Sequence, residues 1–295
     1  MSVRQSPVTL AVQPWFADHC FDEKIVLPAV ESMLLLGAEV ARLHPEVDIR
    51  RMEDVRFGKL LEIPPDSTKL QVLVEDESCQ NGSIMARLLS RVQYAKMTRL
   101  KEHGRILFSA RTGDGFCPVI LTDFPRVAAA EIGVEKIYRD LVPFGTAYQT
   151  LQGSLFLAGE SAWGKLQAPA LQGSDREILG SPFPLDGAFH AACVLGQCFA
   201  DFVPFPVGFG RRIVFRPTRA GCCYIAQVRL ISRDREELVF DLSIVDDRDR
   251  LYETVTGLRM RDVSGGRIRP PEWIRKTGER LSRTAPGKSA CRVNE

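Results

Sequence analysis

The chain has 295 residues, 45% of them hydrophobic, and a formal net charge of +2 at neutral pH. That suffices for one large domain or two of roughly 120–150 residues with a sizeable core, and no apolar run approaches the roughly 18 residues of a transmembrane helix. Eight cysteines without a C-x-x-C pair, and four histidines (His19, His44, His103, His190) at no ligand spacing, argue against a zinc site and for free thiols in a reducing cytoplasm.

Taken in chain order, the first element is TLAVQP, which alternates and stops at Pro14 as a strand does. Its apolar core is too short for a secretory signal. From Pro28, PAVESMLLLGAEVARL repeats apolar residues at i, i+3 and i+4 (Val30, Met33, Leu34, Gly37, Ala38, Ala41). This predicts a largely buried helix with proline at its first position. KLQVLVED (69–76), SIMARLLSRVQ (83–93) and GRILFSA (104–110) read as strands. Residues 113–133 break the pattern and read as a linker. SLFLAGESAWGKLQA (154–168) returns to strand. A second proline-started helix follows in FPLDGAFHAACVLGQCFADF, with Pro184 placed 156 residues after Pro28. RRIVFRP (211–217), CYIAQVRLIS (223–232), LVFDLSIVD (238–246) and LYETVTGLRM (251–260) complete the strands, with DDRDR as a turn. Residues 263–295 carry eight Lys/Arg against three Glu and read as a solvated, partly ordered basic tail. No aromatic interleaving in it supports nucleic-acid binding.

One long helix with several antiparallel strands, occurring twice, predicts an α+β architecture made by duplication. The units span 6–112 and 134–262. In each, the start of the helix carries chemistry: His19 lies on an extended segment ahead of the first, Asp186 in the opening turn of the second. His190 is one turn beyond Asp186 on the same face. Singly these are bland, since Asp186 suits a helix N-terminus and either histidine can be a core residue. Jointly they occupy the same station in both units. If the units pack about a pseudo-twofold, His19 and Asp186 become a base and an acid beside helix N–H groups suited to a carbonyl oxygen. A hydrolase is less well supported. Cys20 points away from its neighbour His19, and AGESAWG lacks the spacing of a nucleophile elbow.

These residues resemble the dehydratase domains of polyketide synthases, over about residues 7–262. The family pattern HxxxGxxxxP stands here as His19-CFD-Glu23-KIVL-Pro28, and DxxxQ or DxxxH as Asp186-GAF-His190. The place of YGPxF is taken by Phe144-Gly145-Thr146-Ala147-Tyr148, and an LPFS-like segment by Val203-Pro204-Phe205-Pro206. The resemblance implies a double hotdog, two antiparallel sheets each wrapping a long central helix. It also implies a reaction. His19 would remove the α-proton of a 3-hydroxyacyl thioester while Asp186 protonates the departing β-hydroxyl, leaving water and a 2-enoyl thioester. His190 would orient Asp186, with Phe144, Gly145, Tyr148, Glu23 and Pro28 in support. No metal or redox cofactor is implied. The substrate would arrive on the phosphopantetheine of an acyl carrier protein, or on coenzyme A, with other polyketide synthase components as partners. The protein would be a cytoplasmic monomer or homodimer that meets neither membrane nor nucleic acid. Arg211, Arg212, Arg216 and Arg219 are candidate docking charges for an acidic carrier, a solvated strand face being the equal alternative.

Two departures bear on activity. Glu23 replaces the motif glycine, where an unusual φ is expected, and its carboxylate either raises the pKa of His19 or faces solvent. Phe144 replaces tyrosine and Thr146 replaces proline. A double-bond isomerase or cyclase using the same pair, or a retired acyl-carrier-binding protein, therefore stand as alternatives.

Overall fold

Among the residues described by the computed structural model (3–94, 97–110, 121, 124–125, 127–171 and 177–284), the first half runs β1 (Val3–Ala11), β2 (Cys20–Phe21), β3 (Lys24–Ile25), α1 (Ala29–Leu43), β4 (Val47–Phe57), β5 (Lys69–Ser78), β6 (Ile84–Tyr94) and β7 (Met97–Ala110). The second runs β8 (Ala130–Gly133), α2 (Val134–Asp140), β9 (Leu151–Ala158), β10 (Ser161–Gln167), α3 (Phe183–Gln197), β11 (Phe205–Val214), β12 (Cys223–Arg233), β13 (Glu237–Val245) and β14 (Leu251–Arg261). A last helix, α4, covers Glu272–Thr284.

Twelve strands hydrogen-bond in the order β1-β5-β6-β7-β4-β11-β14-β13-β12-β10-β9-β8, and every neighbouring pair is antiparallel. The internal repeat is explicit. The order β1-β5-β6-β7-β4 recurs as β10-β12-β13-β14-β11, and α1 and α3 each follow the first strand of their set. The two separate sheets expected from sequence are instead one, joined where β4 pairs with β11. The reason is the edge: β4 and β11 end their respective sets, and pairing them satisfies two rows of N–H and C=O groups at once.

α1 packs on β4, β5, β6 and β7, α3 on β9, β10, β12 and β13, and the two helices touch. α1 buries Val30, Met33, Leu34, Leu35, Leu36, Gly37 and Val40, the run from Met33 to Gly37 being buried all round the helix. In α3 all fifteen residues are buried. Small residues permit that depth. A Cβ on Gly187 would lie 2.8 Å from Leu166 Cδ2, and one on Gly196 would lie 2.8 Å from both Leu238 Cδ1 and Pro204 Cγ.

The linker and the tail differ from expectation. The last four linker residues form β8 on the edge of the sheet, paired with β9; the linker residues 113–120, 122–123 and 126, Cys117 among them, lie outside the described residues. The basic tail is packed as far as it is described. Ile274 and Leu281 of α4 are buried, Gly278 lies against the Cys198 carbonyl, and the Lys136 ammonium sits 3.6 Å over the Trp273 ring. Residues 285–295, with Cys291, are not described. No helix among the described residues is long and apolar enough to cross a membrane.

Candidate active site

His19 closes a 3₁₀ turn over Pro14–Asp18, its N–H donating to the Phe16 carbonyl at 3.0 Å. The β2–β3 hairpin follows. Phe21 pairs with Lys24, so Asp22 and Glu23 form a two-residue turn, with φ of 50° and 62°. Such a turn needs left-handed backbone at both positions, which accounts for glycine in the family pattern at Glu23. The hairpin returns the chain so that the Val26 N–H donates to the His19 carbonyl at 3.1 Å. The Val26 carbonyl in turn lies 3.1 Å from His19 Nδ1. A carbonyl only accepts, so Nδ1 carries the proton and Nε2 presents its lone pair. Burial pushes the His19 pKa below 6.5, and the Asp186 carboxylate opposes that shift. Glu23 is exposed at the hairpin tip, facing solvent. Pro28 stands one residue before α1 rather than at its first position.

Asp186 and His190 lie in the first turns of α3 and are only 5% and 4% exposed. His190 Nε2 is 3.1 Å from Asp186 Oδ2, but off the angle a hydrogen bond requires. Asp186 Oδ2, both ring nitrogens of His190 and Tyr148 Oη are buried without a hydrogen-bond partner among the described residues. Leaving such a group unpaired costs about 1–3 kcal/mol, and groups of this kind in one place are suited to receive a polar ligand.

Phe144 stands between the two imidazoles. Its ring stacks on His19 at 4.4 Å and 10°, and on His190 at 5.2 Å and 26°. Tyr148 meets His19 edge-on at 5.1 Å, and Tyr138 meets His190 edge-on at 5.9 Å. The structure thus brings together His19, Phe144, Gly145, Tyr148, Asp186 and His190. Sequence reasoning missed two neighbours. Tyr138 lies on the unforeseen α2 and accepts the Leu151 N–H at 2.9 Å. Asp18 adjoins His19 yet bonds to residues 145–147, far along the chain, and only its position beside the histidine hinted at a role.

The docking arginines do not form one face. Arg212 is buried, 3% exposed, with Nε and Nη2 at 2.9 and 2.7 Å from Oε2 of the fully buried Glu253, so it cannot meet a carrier protein. Arg211 is ion-paired with Glu53 at 3.3 Å, while Arg216 and Arg219 are exposed. Among the described residues no group of three or more His, Cys, Asp or Glu is placed to hold a metal ion.

Comparison with known proteins gives the family and the fold. The model described as polyketide synthase dehydratase N-terminal domain matches residues 122–269, half of the chain, and a second, polyketide synthase dehydratase domain, matches residues 2–91. The chain belongs to the polyketide synthase dehydratase family. A curated relative, polyketide synthase ThaG of Burkholderia thailandensis, is 25% identical over 264 residues, covering 86% of this chain but only 4% of that protein. The chain therefore spans a small part of the relative it matches. Solved structures of similar fold include a trans-AT polyketide synthase dehydratase domain from Brevibacillus brevis, with TM-score 0.72, 17% identity and coverage of 89% of this chain and 94% of that one. A bifunctional dehydratase-cyclase domain of ambruticin biosynthesis aligns with TM-score 0.65 and 18% identity, covering 88% and 91%. Against the dehydratase family pattern, Phe144 keeps the aromatic ring that contacts both histidines but lacks the tyrosine hydroxyl, and Glu23 holds a left-handed backbone in place of glycine.

Proposed function

We propose that this dehydratase-family chain removes water from a 3-hydroxyacyl thioester presented on the phosphopantetheine of an acyl carrier protein. His19 Nε2 takes the α-proton. The Cβ–O bond breaks as the Asp186 carboxyl group supplies a proton to the departing hydroxyl, and a 2-enoyl thioester and water remain. The proton gained by His19 and the one lost by Asp186 balance, so the step needs no oxidant or reductant. The observation that carries this reading is the His19 tautomer. With Nδ1–H committed to the Val26 carbonyl, Nε2 is free to act as a base, and burial keeps the ring neutral. The partnerless Asp186 Oδ2 supports the second role. His190, in contact with Asp186 but not hydrogen-bonded to it, limits where that carboxyl group can turn. Arg216 and Arg219 remain the docking charges of this proposal.

The test is mass-spectrometric. Wild type, His19→Ala and Asp186→Asn are each given 3-hydroxyacyl thioesters on carrier protein and on a pantetheine mimic. Loss of water by the wild type alone supports the pair; equal activity in either variant refutes it. A second reading, ring closure or bond migration by the same residues, draws on the dehydratase-cyclase among the similar structures. It is favoured if the wild type returns a product of altered connectivity from an enoyl substrate without net loss of water.

A further inference from the structure

We propose that Asp18 is a positioning residue that sets His19, carried by the first half of the chain, in register with Asp186, carried by the second. Asp18 is the residue immediately before His19 and reaches across to the other half twice. Its backbone carbonyl accepts the Gly145 N–H at 2.8 Å, and its carboxylate Oδ2 accepts the Ala147 N–H at 2.8 Å. The receiving segment is the 3₁₀ turn Thr146–Tyr148, which has no side-chain cap of its own. Asp18 supplies that cap from 129 residues away. Gly145 is the matching accommodation. A Cβ there would stand 2.6 Å from the Asp18 Cβ and overlap its carboxyl group.

The turn that Asp18 holds is bracketed by Phe144 and Tyr148, the two rings that contact His19. The contacts therefore close a circuit. Asp18 fixes the turn, the turn fixes Phe144 and Tyr148, these rings fix the imidazole, and the imidazole is one peptide bond from Asp18. The far face of Phe144 extends the circuit to His190, one helical turn beyond Asp186. A base and an acid held on separate halves need such a tie, because misplacement by about 1 Å can cost 10²-fold in rate. The tie is geometric: it runs through hydrogen bonds to Gly145 and Ala147 and through ring contacts to His19.

The kinetic arm of the test rests on the dehydratase reading; the spectroscopic arm does not. Asp18→Ala, Asp18→Asn and Gly145→Ala are made in the full chain. Each is examined for kcat and KM in thioester dehydration, for its urea unfolding midpoint, and for the His19 ring-proton shifts by NMR. Asp18→Ala and Gly145→Ala are expected to lower kcat by about 10²-fold with KM little changed, and to remove the upfield ring-current shift that Phe144 imposes on His19. Asp18→Asn, whose amide oxygen accepts the same N–H, is expected to restore most of both signals and keeps the test open if the alanine variant folds poorly. Unchanged kcat in Asp18→Ala overturns the proposal, as do His19 shifts at their wild-type positions or an asparagine variant no better than alanine. If the wild type itself eliminates no water, the dehydratase reading fails, and the NMR shifts still decide the role of Asp18.

Discussion

Arg212 and Glu253 provide the sharpest test of how the two halves are joined. Arg212 lies on β11, the strand that pairs with β4, and its Nη1 rests against the sulfur atoms of Met33 on α1 and Met52 on β4, at 4.0 and 3.9 Å. Its Nε and Nη2 both donate to Glu253 Oε2, whereas Oε1 is buried with no partner. Arg212→Ala leaves a fully buried carboxylate with neither oxygen satisfied, and breaking a buried pair in this way costs about 3–5 kcal/mol. At about 2 °C per kcal/mol for a chain of this size, Tm falls by roughly 6–10 °C. Replacing both partners with apolar residues of similar volume, Arg212→Met with Glu253→Leu, removes the desolvation of both charges and is expected to be neutral or stabilising. The loss in Arg212→Ala also depends on pH. Burial raises the Glu253 pKa above 4.5 and Arg212 opposes the rise; without Arg212 the folded state holds its proton to higher pH than the unfolded state does. Stability of the single variant then declines further as pH rises above 4.5. Urea unfolding at pH 5 and pH 8 measures both effects. A single variant within about 1 kcal/mol of wild type, below the range for breaking a buried pair, or a double variant as unstable as the single, refutes this account.

Four further outcomes follow from the site and the tail. Because burial lowers the His19 pKa below 6.5, its contribution to stability is whole above pH 6.5 and is lost as pH falls toward the folded-state pKa, and the acid limb of kcat/KM lies below 6.5. Asp186→Asn removes a charge that holds this pKa up, so NMR titration of His19 should find it lower still; a rise contradicts the assignment. Glu23→Gly relieves left-handed backbone at φ 62° and is expected to stabilise by up to about 1 kcal/mol in urea unfolding, the strain relieved being offset in part by the freedom glycine adds to the unfolded chain. Gly278→Ala separates propensity from packing: helix propensity alone favours alanine by about 1 kcal/mol, yet its Cβ would fall on the Cys198 carbonyl. Packing should win, with a net loss of about 1–3 kcal/mol; a more stable Gly278→Ala would mean that α4 is not seated on the end of α3.

The two central helices and most of the strands were legible from the residues in chain order, and the sequence singled out His19 and Asp186, which the proposal above pairs. Periodicity is a local property, and residues that bury a face must repeat at the spacing of their own element. The prolines that open the two helices, Pro28 just before α1 and Pro184 in the first turn of α3, likewise pointed to the duplication without any contact information. β4 was not legible. Its buried positions are only Val47, Met52 and Val55, separated by charged residues, and its pairing with β7 shifts register between Val47 and Met52 and between Glu53 and Arg56. A strand with broken alternation carries no period-2 signal, and with it went the join that makes one sheet of two. Arg212 was misread for a related reason. Its exposure depends on α1 and β4 covering it, which no spacing within RRIVFRP encodes. The helix in the basic tail and the bonds from Asp18 to residues 145–147 belong to the same class. Local sequence determined which segments become helix or strand and which residues are candidates for chemistry. Contacts between distant segments decided which charges are buried, which edges meet, and how His19 is held beside the segment 144–148, because those depend on packing that the chain acquires only when both halves have folded together.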